Sequence, residues 1–251
     1  MKDNKQKRKH SLLKIILAIV LVIVAVTGVS FGIYISDYYR PDDTAMEILE
    51  NPGDVSILQD DQGNYTVLPQ KAGDTGIIFY PGGKVEYRAY LPLCHKIAAK
   101  GIDCFLVEMP CNLAILDIDK ADSVFGNYAY SEWIIGGHSL GGAAAALYAA
   151  GHREQVQGLI LLGAYPTKQL GKDLRVLEMY GSEDRVLNRS KLLKGNAYLP
   201  EHTVSEEIPG GSHAGFGCYG PQEGDGQALI SGEEQQEITA ERTADVFLRE
   251  D

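Results

Sequence analysis

The chain has 251 residues and a formal net charge of −11, from 23 Lys and Arg against 34 Asp and Glu. That length suits one sizeable α/β domain with an appendage. Six cations among residues 1–14 (Lys2, Lys5, Lys7, Arg8, Lys9 and Lys14) less Asp3 make +5, so the remainder carries −16. Such an acidic body argues against a nucleic-acid partner and against docking on anionic lipid through the domain itself.

Read in order, the chain begins basic and turns apolar. Ile15 to Ile35 is 21 residues without a charge, about the length that crosses hydrocarbon as a helix. Tyr34, Tyr38 and Tyr39 stand at its far end, where interfacial aromatics sit. The pattern predicts a basic cytoplasmic tail (1–14), a transmembrane signal-anchor (15–35) and the remaining domain outside the cell membrane. Secretion after signal cleavage is the rival reading, but Ala25-Val26-Thr27 is a poor cleavage site lying inside the run. Residues 36–54, with Pro41 and Pro52, read as a polar tether with one helical turn at Ala45–Leu49.

The domain then spans 55–251. Val55–Leu58 and Tyr65–Leu68 read as strands joined by the polar turn Asp60-Asp61-Gln62-Gly63-Asn64. Gly76–Tyr80 is a continuous apolar strand of the kind a parallel sheet buries. A helix from about Glu86 to Lys100 ends at Gly101, and Asp103–Val107 is the next strand. Glu108–Ser131 is an irregular connection with helical turns near Leu113–Ile118 and Ala121–Phe125. Strands follow at Trp133–Gly136, Val156–Leu162, Arg175–Tyr180 and Thr203–Ile208, with helices at Leu140–Ala150, Leu187–Tyr198 and Ser231–Arg249. On the closing helix Ile238, Ala244, Phe247 and Leu248 are candidate core contacts. The alternation predicts a mostly parallel sheet of about eight strands with helices on both faces, a three-layer α/β fold.

One stretch carries the chemistry. Trp133–Gly136 runs into Gly137-His138-Ser139-Leu140-Gly141, and an alanine-rich helix follows at once. The glycines allow a turn so sharp that it lifts the Ser139 hydroxyl above the sheet edge. On this strand, elbow and helix the sequence resembles the α/β-hydrolase superfamily, and most of all its small lidless group of esterase-like and dienelactone-hydrolase-like proteins. Lidded relatives carry a long insertion after the strand that follows the nucleophile helix. Here Gly163 to Leu174 leaves no room for a large lid.

The resemblance implies an order of nucleophile, acid, then histidine. Ser139 needs a base to remove its proton. His213, within Pro209-Gly210-Gly211-Ser212-His213-Ala214-Gly215-Phe216-Gly217, resembles the family's histidine loop, with Phe216 and Tyr219 following. The acid follows the strand that ends at Tyr180. In Gly181-Ser182-Glu183-Asp184 the family pattern lands on Asp184, with Glu183 in reserve. Leu140 supplies one oxyanion amide at the helix start. Gly83 is favoured as the other, in Pro81-Gly82-Gly83-Lys84, with Lys84 as its neighbour. Residues 219–226, rich in glycine, take a shaping role.

His138, His95, His152 and His202 read as bystanders, and His138 faces away from the base position. No spacing suits a metal and no fingerprint suits a nucleotide, so no metal or cofactor is expected. Cys94 and Cys104 read as separate buried thiols, because a helix and the sheet beneath it lie about 10 Å apart. A bridge between Cys111 and Cys218 stays open.

These features together imply a serine hydrolase acting on carboxylic esters through an acyl-enzyme, on a small-molecule or acylated substrate. Thioesterase, amidase and acyltransferase activity use the same machinery, and a non-catalytic binding module on the same fold is the competing class. On the anchored reading, protease added to intact cells releases the domain; complete protection reverses the orientation.

Overall fold

A computed structural model describes residues 2–71 and 73–248, with residues 2–11 as backbone alone. The chain divides into two compact units, one ending at Tyr38 and one beginning at Tyr39. The first is a single helix, α1 (Lys2–Ser36). Its stretch Leu12–Ser36 has 25 residues, and an 18-residue window within it has a mean hydropathy of 2.9 and no buried residue. It is long and apolar enough to span hydrocarbon. The basic side chains from Lys2 to Lys9 lie outside the described residues.

The second unit begins earlier than the composition suggests. Tyr39 forms a bridge with Val85, and α2 (Asp43–Glu50) stands within the stretch expected to be a spacer. The Asp42 carboxylate accepts the Ala45 amide at 3.1 Å, capping α2. Ala45 is then buried and Leu49 packs on the core.

Next come β1 (Val55–Gln59), β2 (Tyr65–Pro69), β3 (Thr75–Tyr80), α3 (Leu91–Ala99), β4 (Asp103–Leu106), α4 (Asp122–Phe125), β5 (Glu132–His138) and α5 (Leu140–Gly151). β6 (Gly158–Leu162), β7 (Arg175–Gly181), α6 (Arg189–Gly195), β8 (Val204–Ile208) and α7 (Gly232–Phe247) complete the order. The eight strands make one sheet in the order β1-β2-β4-β3-β5-β6-β7-β8. β1 with β2 and β2 with β4 are antiparallel; the pairings from β4 across to β8 are all parallel. Only residues 163–174 join β6 to β7, and they form no large lid.

Both sheet faces are apolar, and successive residues feed two different cores. Ile77, Phe79, Ile134, Ile160 and Leu177 point to the side of α3 and α7, meeting Leu93, Ile97 and Phe247. Ile78, Tyr80, Ile135, Leu159 and Leu161 point to the other side, onto the alanine face of α5. Small alanines let α5 lie close to the strands. Lys96 and Lys100 on α3 pair with Glu237 on α7, joining the two helices at their solvent edge.

Several details depart from the sequence reading. The stretch from Glu86 opens as a 3₁₀ turn (Tyr87–Tyr90), and the α-helix starts only where Pro92 occupies its first turn. α7 begins as expected, with the Ser231 hydroxyl accepting the Glu234 amide at 3.0 Å. Its expected end at Arg249 lies outside the described residues. Leu248 is exposed, Ile238 and Ala244 are half-buried, and Phe247 is buried. The most buried stripe is instead polar: Gln235, Gln236, Thr239 and Thr243. Each has a partner; the two threonine hydroxyls donate one turn back to the carbonyls of Gln235 and Thr239, both at 2.8 Å. Cys94 and Cys104 are free and buried, two unbridged thiols as expected. Burial pushes the Cys104 thiol well up, and the nearby Cys94 adds to the rise.

Glu178 on β7 is buried, with one oxygen accepting the Ser205 hydroxyl at 2.7 Å and the other unpartnered among the described residues. Burial raises its pKa above the ordinary 4.5. Below that ordinary value the acid is protonated in both states. As pH rises, the unfolded chain releases its proton first, so stability falls through the folded pKa. Glu178→Gln therefore melts above the wild type at pH 7, and the gain vanishes at pH 4. An equal shift at both pH values contradicts this.

Candidate active site

The elbow forms where α5 leaves β5 against the end of β3. A side chain on Gly137 would stand 2.6 Å from the Tyr80 carbonyl oxygen and 2.6 Å from the Gly141 backbone. One on Gly141 would overlap the Tyr80 and Pro81 carbonyls. The turn closes only with glycine at both places. Ser139 between them takes φ 52° and ψ −118°, a conformation that non-glycine residues hold only under surrounding constraint. Its amide donates to the Leu162 carbonyl at 2.9 Å, tying the elbow to β6.

His213 and Asp184 meet beside it. Their side chains are 1% and 0% exposed, and His213 Nδ1 stands 2.7 Å from Asp184 Oδ2. The other Asp184 oxygen accepts the Val186 amide at 2.9 Å and the Leu187 amide at 2.8 Å. The carboxylate is thus held by its own loop while it holds the imidazole. Glu183 makes no such contact; its carboxylate accepts from the Ser182 hydroxyl at 3.1 Å. Gly163, one residue beyond the Leu162 carbonyl that holds Ser139, adjoins both partners: a side chain there would lie 3.0 Å from His213 Nδ1 and 3.3 Å from Asp184 Oδ2. So the end of β6 has the elbow on one side and the His213–Asp184 pair on the other. His213 Nε2 is buried and makes no hydrogen bond among the described residues, leaving that nitrogen open to a proton donor.

Gly83 and Leu140 are neighbours. A side chain on Gly83 would stand 2.8 Å from Leu140 Cδ2. The competing amides of that loop are engaged: Gly82 donates to the Tyr90 hydroxyl at 3.1 Å and Lys84 to the Asn112 carbonyl at 2.8 Å. The start of α5 carries no side-chain cap, so its first amides keep their pull on negative charge.

His138, read as a bystander, and Tyr90, which the sequence reading did not single out, support this loop. Tyr90 is fully buried beneath the site. Its oxygen receives the Gly82 amide, and its hydroxyl lies 2.8 Å from His138 Nδ1, within hydrogen-bond reach. Burial pushes the His138 pKa well below the imidazole range, and the nearby His213 pushes the same way. A neutral His138 can accept at Nδ1. Its ring lies 4.4 Å from that of His213. Strand alternation from Ile134 through Gly136 places His138 on the α3 side, which was the available signal; nothing in the sequence names Tyr90 as its partner. Gln235 of α7 also supports the site: it accepts the Ser212 amide at 2.9 Å and donates to the Ser212 carbonyl at 2.8 Å.

The remaining candidates lie elsewhere. His95 meets the Pro52 carbonyl at 2.9 Å, His152 stacks on Tyr148, and His202 is exposed. Cys111 is exposed and Cys218 faces Gln236; no bridge joins them.

Comparison with known proteins places this geometry. A profile described as the alpha/beta hydrolase family matches residues 76–237. None of the curated proteins matches the sequence. Among solved structures, Est1E from Butyrivibrio proteoclasticus is 15% identical with a TM-score of 0.54, covering 78% of this chain and 100% of its own. Dienelactone hydrolase from Anabaena variabilis is also 15% identical with a TM-score of 0.54, covering 78% and 98%. Another Est1E structure, with ferulic acid bound, reaches 0.55 at 14% identity, covering 78% and 97%.

The Tyr90 hydroxyl holds two buried groups, so Tyr90→Phe leaves the Gly82 amide and His138 Nδ1 without partners. Orphaned buried groups cost about 1–3 kcal/mol each. The variant should melt several degrees lower, roughly 2–4 °C for each kcal/mol lost in a chain of this size. An unchanged melting temperature would show that the hydroxyl bears no load.

Proposed function

This chain belongs to the alpha/beta hydrolase family, and within it we propose a serine hydrolase that cleaves carboxylic esters. The observation that carries this reading is the buried His213–Asp184 contact, opposite a serine held in a strained elbow. Ser139 Oγ attacks the ester carbonyl carbon and its proton passes to His213 Nε2. Asp184 fixes the ring by accepting from Nδ1 and stabilises the imidazolium that forms. The Leu140 and Gly83 amides hold the oxyanion. The C–O bond then breaks, the leaving alcohol takes the proton from His213, and the acyl group stays on Ser139. Water, deprotonated by the same histidine, releases the acid.

Ester chemistry is supported by the company the fold keeps: an Est1E with ferulic acid bound and a dienelactone hydrolase. Thioesters, amides and acyl transfer run on the same groups. The apolar stretch of α1 supports a membrane anchor with the domain outside, secretion after cleavage being the other reading.

A fluorophosphonate probe separates hydrolase from inert scaffold. Wild-type protein should take the label on Ser139, and Ser139→Ala should not. Ser139→Ala and His213→Ala should each remove nearly all turnover, with the double variant little worse than either. Asp184→Asn keeps the shape but favours the wrong tautomer, and kcat should fall about 10⁴-fold. Glu183→Gln should stay near wild type. An unlabelled Ser139 in folded protein would end the reading, and a dead Glu183→Gln beside an active Asp184→Asn would reassign the acid.

A further inference from the structure

The glycine-rich stretch 219–226 contains one side chain that touches both halves of the His213–Asp184 pair's setting. One Asp225 oxygen accepts the Ala214 amide at 2.9 Å. The other lies 3.3 Å from the Arg185 amide and 2.8 Å from the Gly226 amide, and accepts from both. Ala214 directly follows His213, and Arg185 directly follows Asp184. A single carboxylate therefore spans the two loops one residue beyond the groups they present. The backbone at Gly226 presses on the acid loop so closely that a side chain there would overlap the Glu183 carbonyl.

The apolar core anchors the histidine loop at Phe216, which is fully buried. The loop also borders a cavity of about 820 Å³, lined by Ser212, Ala214, Gly217, Cys218, Asp225 and Gln236. Beside that cavity, polar pins hold the backbone on either side of His213. Gln235 pins Ser212, before the histidine. Asp225 pins Ala214, after it, and reaches the acid loop at Arg185, beyond Asp184; the Glu183 amide on the Gly211 carbonyl at 2.8 Å joins the two loops only before the triad residues.

We propose that Asp225 is a positioning residue for the triad, setting the separation between Asp184 and His213; this rests on the hydrolase reading above. A carboxylate is required because both loops present N–H donors. An asparagine there offers one acceptor and turns its amide group toward the second donor, so it keeps one pin and loses the other. Alanine loses both.

The test reads the Asp184–His213 bond itself as well as turnover. In proton NMR of the full chain, a histidine N–H donating to a carboxylate gives a far-downfield resonance. Asp225→Ala should shift this resonance upfield or broaden it, with Asp225→Asn intermediate and Gln227→Ala like wild type. In the fraction that labels with fluorophosphonate, kcat should fall about 10- to 100-fold in Asp225→Ala with KM within about twofold, the size of effect that a misplacement near 1 Å produces. Should Asp225→Ala fail to fold, Asp225→Asn, which keeps one pin, decides by the same two readings. An unmoved resonance with unchanged kcat per labelled site overturns the proposal. Absence of labelling in the wild type overturns the hydrolase reading instead, and the resonance still tests the clamp.

Discussion

The candidate site depends on one steric constraint: the backbone of α5 and β5 is pressed onto the carbonyls at the end of β3. Nothing larger than hydrogen fits at Gly137 or Gly141, because the Tyr80 carbonyl occupies the space at both. This contact forces Ser139 into its strained conformation and lays Leu140 beside Gly83. The strain persists because the sheet over-determines it. The Ser139 amide is bound to β6, and the Ala143 amide to the Ser139 carbonyl. About 1–3 kcal/mol of local backbone strain is small against two apolar cores. The same packing that hides the strand faces also holds the serine up.

Hydrophobic burial stops at the carboxyl ends of the strands, and there the structure changes its means of support. Buried polar side chains reach back to loop backbone: Asp184 to Val186 and Leu187, Gln235 to Ser212, and Tyr90 to Gly82. Each satisfies a group that would otherwise be buried without a partner. Directional bonds also fix position more sharply than apolar contact does. A loop edge that leaves His213 Nε2 without a partner among the described residues cannot be filled with side chains.

This division explains what was legible in the sequence. Continuous apolar runs and an alanine-rich helix record burial, so the central strands and α5 could be placed from residue types. The Gly-x-Ser-x-Gly elbow records a backbone collision, and glycine answers such a collision. The supporting polar groups leave no periodic mark. Gln235 and Gln236 look like the outer face of an acidic helix, but they are buried because the histidine loop needs their amides. Tyr90 lies in what reads as a continuous helix, though Pro92 breaks the ladder and leaves the tyrosine in a 3₁₀ turn under the elbow. α2 was legible only as one turn at Ala45–Leu49, because Pro41 and Pro52 resemble a linker until the Asp42 cap is seen.

The paired histidines add an electrostatic consequence. His138 and His213 lie ring to ring at 4.4 Å, and two imidazolium ions at that distance repel strongly in a buried site. The structure assigns them different tasks through their partners. His138 faces a phenol whose own pKa is raised by burial, so its neighbour carries no negative charge to favour protonation. His213 faces a carboxylate. A positive charge formed during the proposed reaction therefore settles on His213, where Asp184 balances it. Were the phenol at position 90 replaced by a carboxylate, His138 would hold a proton as well and oppose the charge on His213. The neutral tyrosine preserves a hydrogen bond to the Gly82 amide without adding a competing charge, which makes one histidine a support and leaves the other free for the proposed role of base.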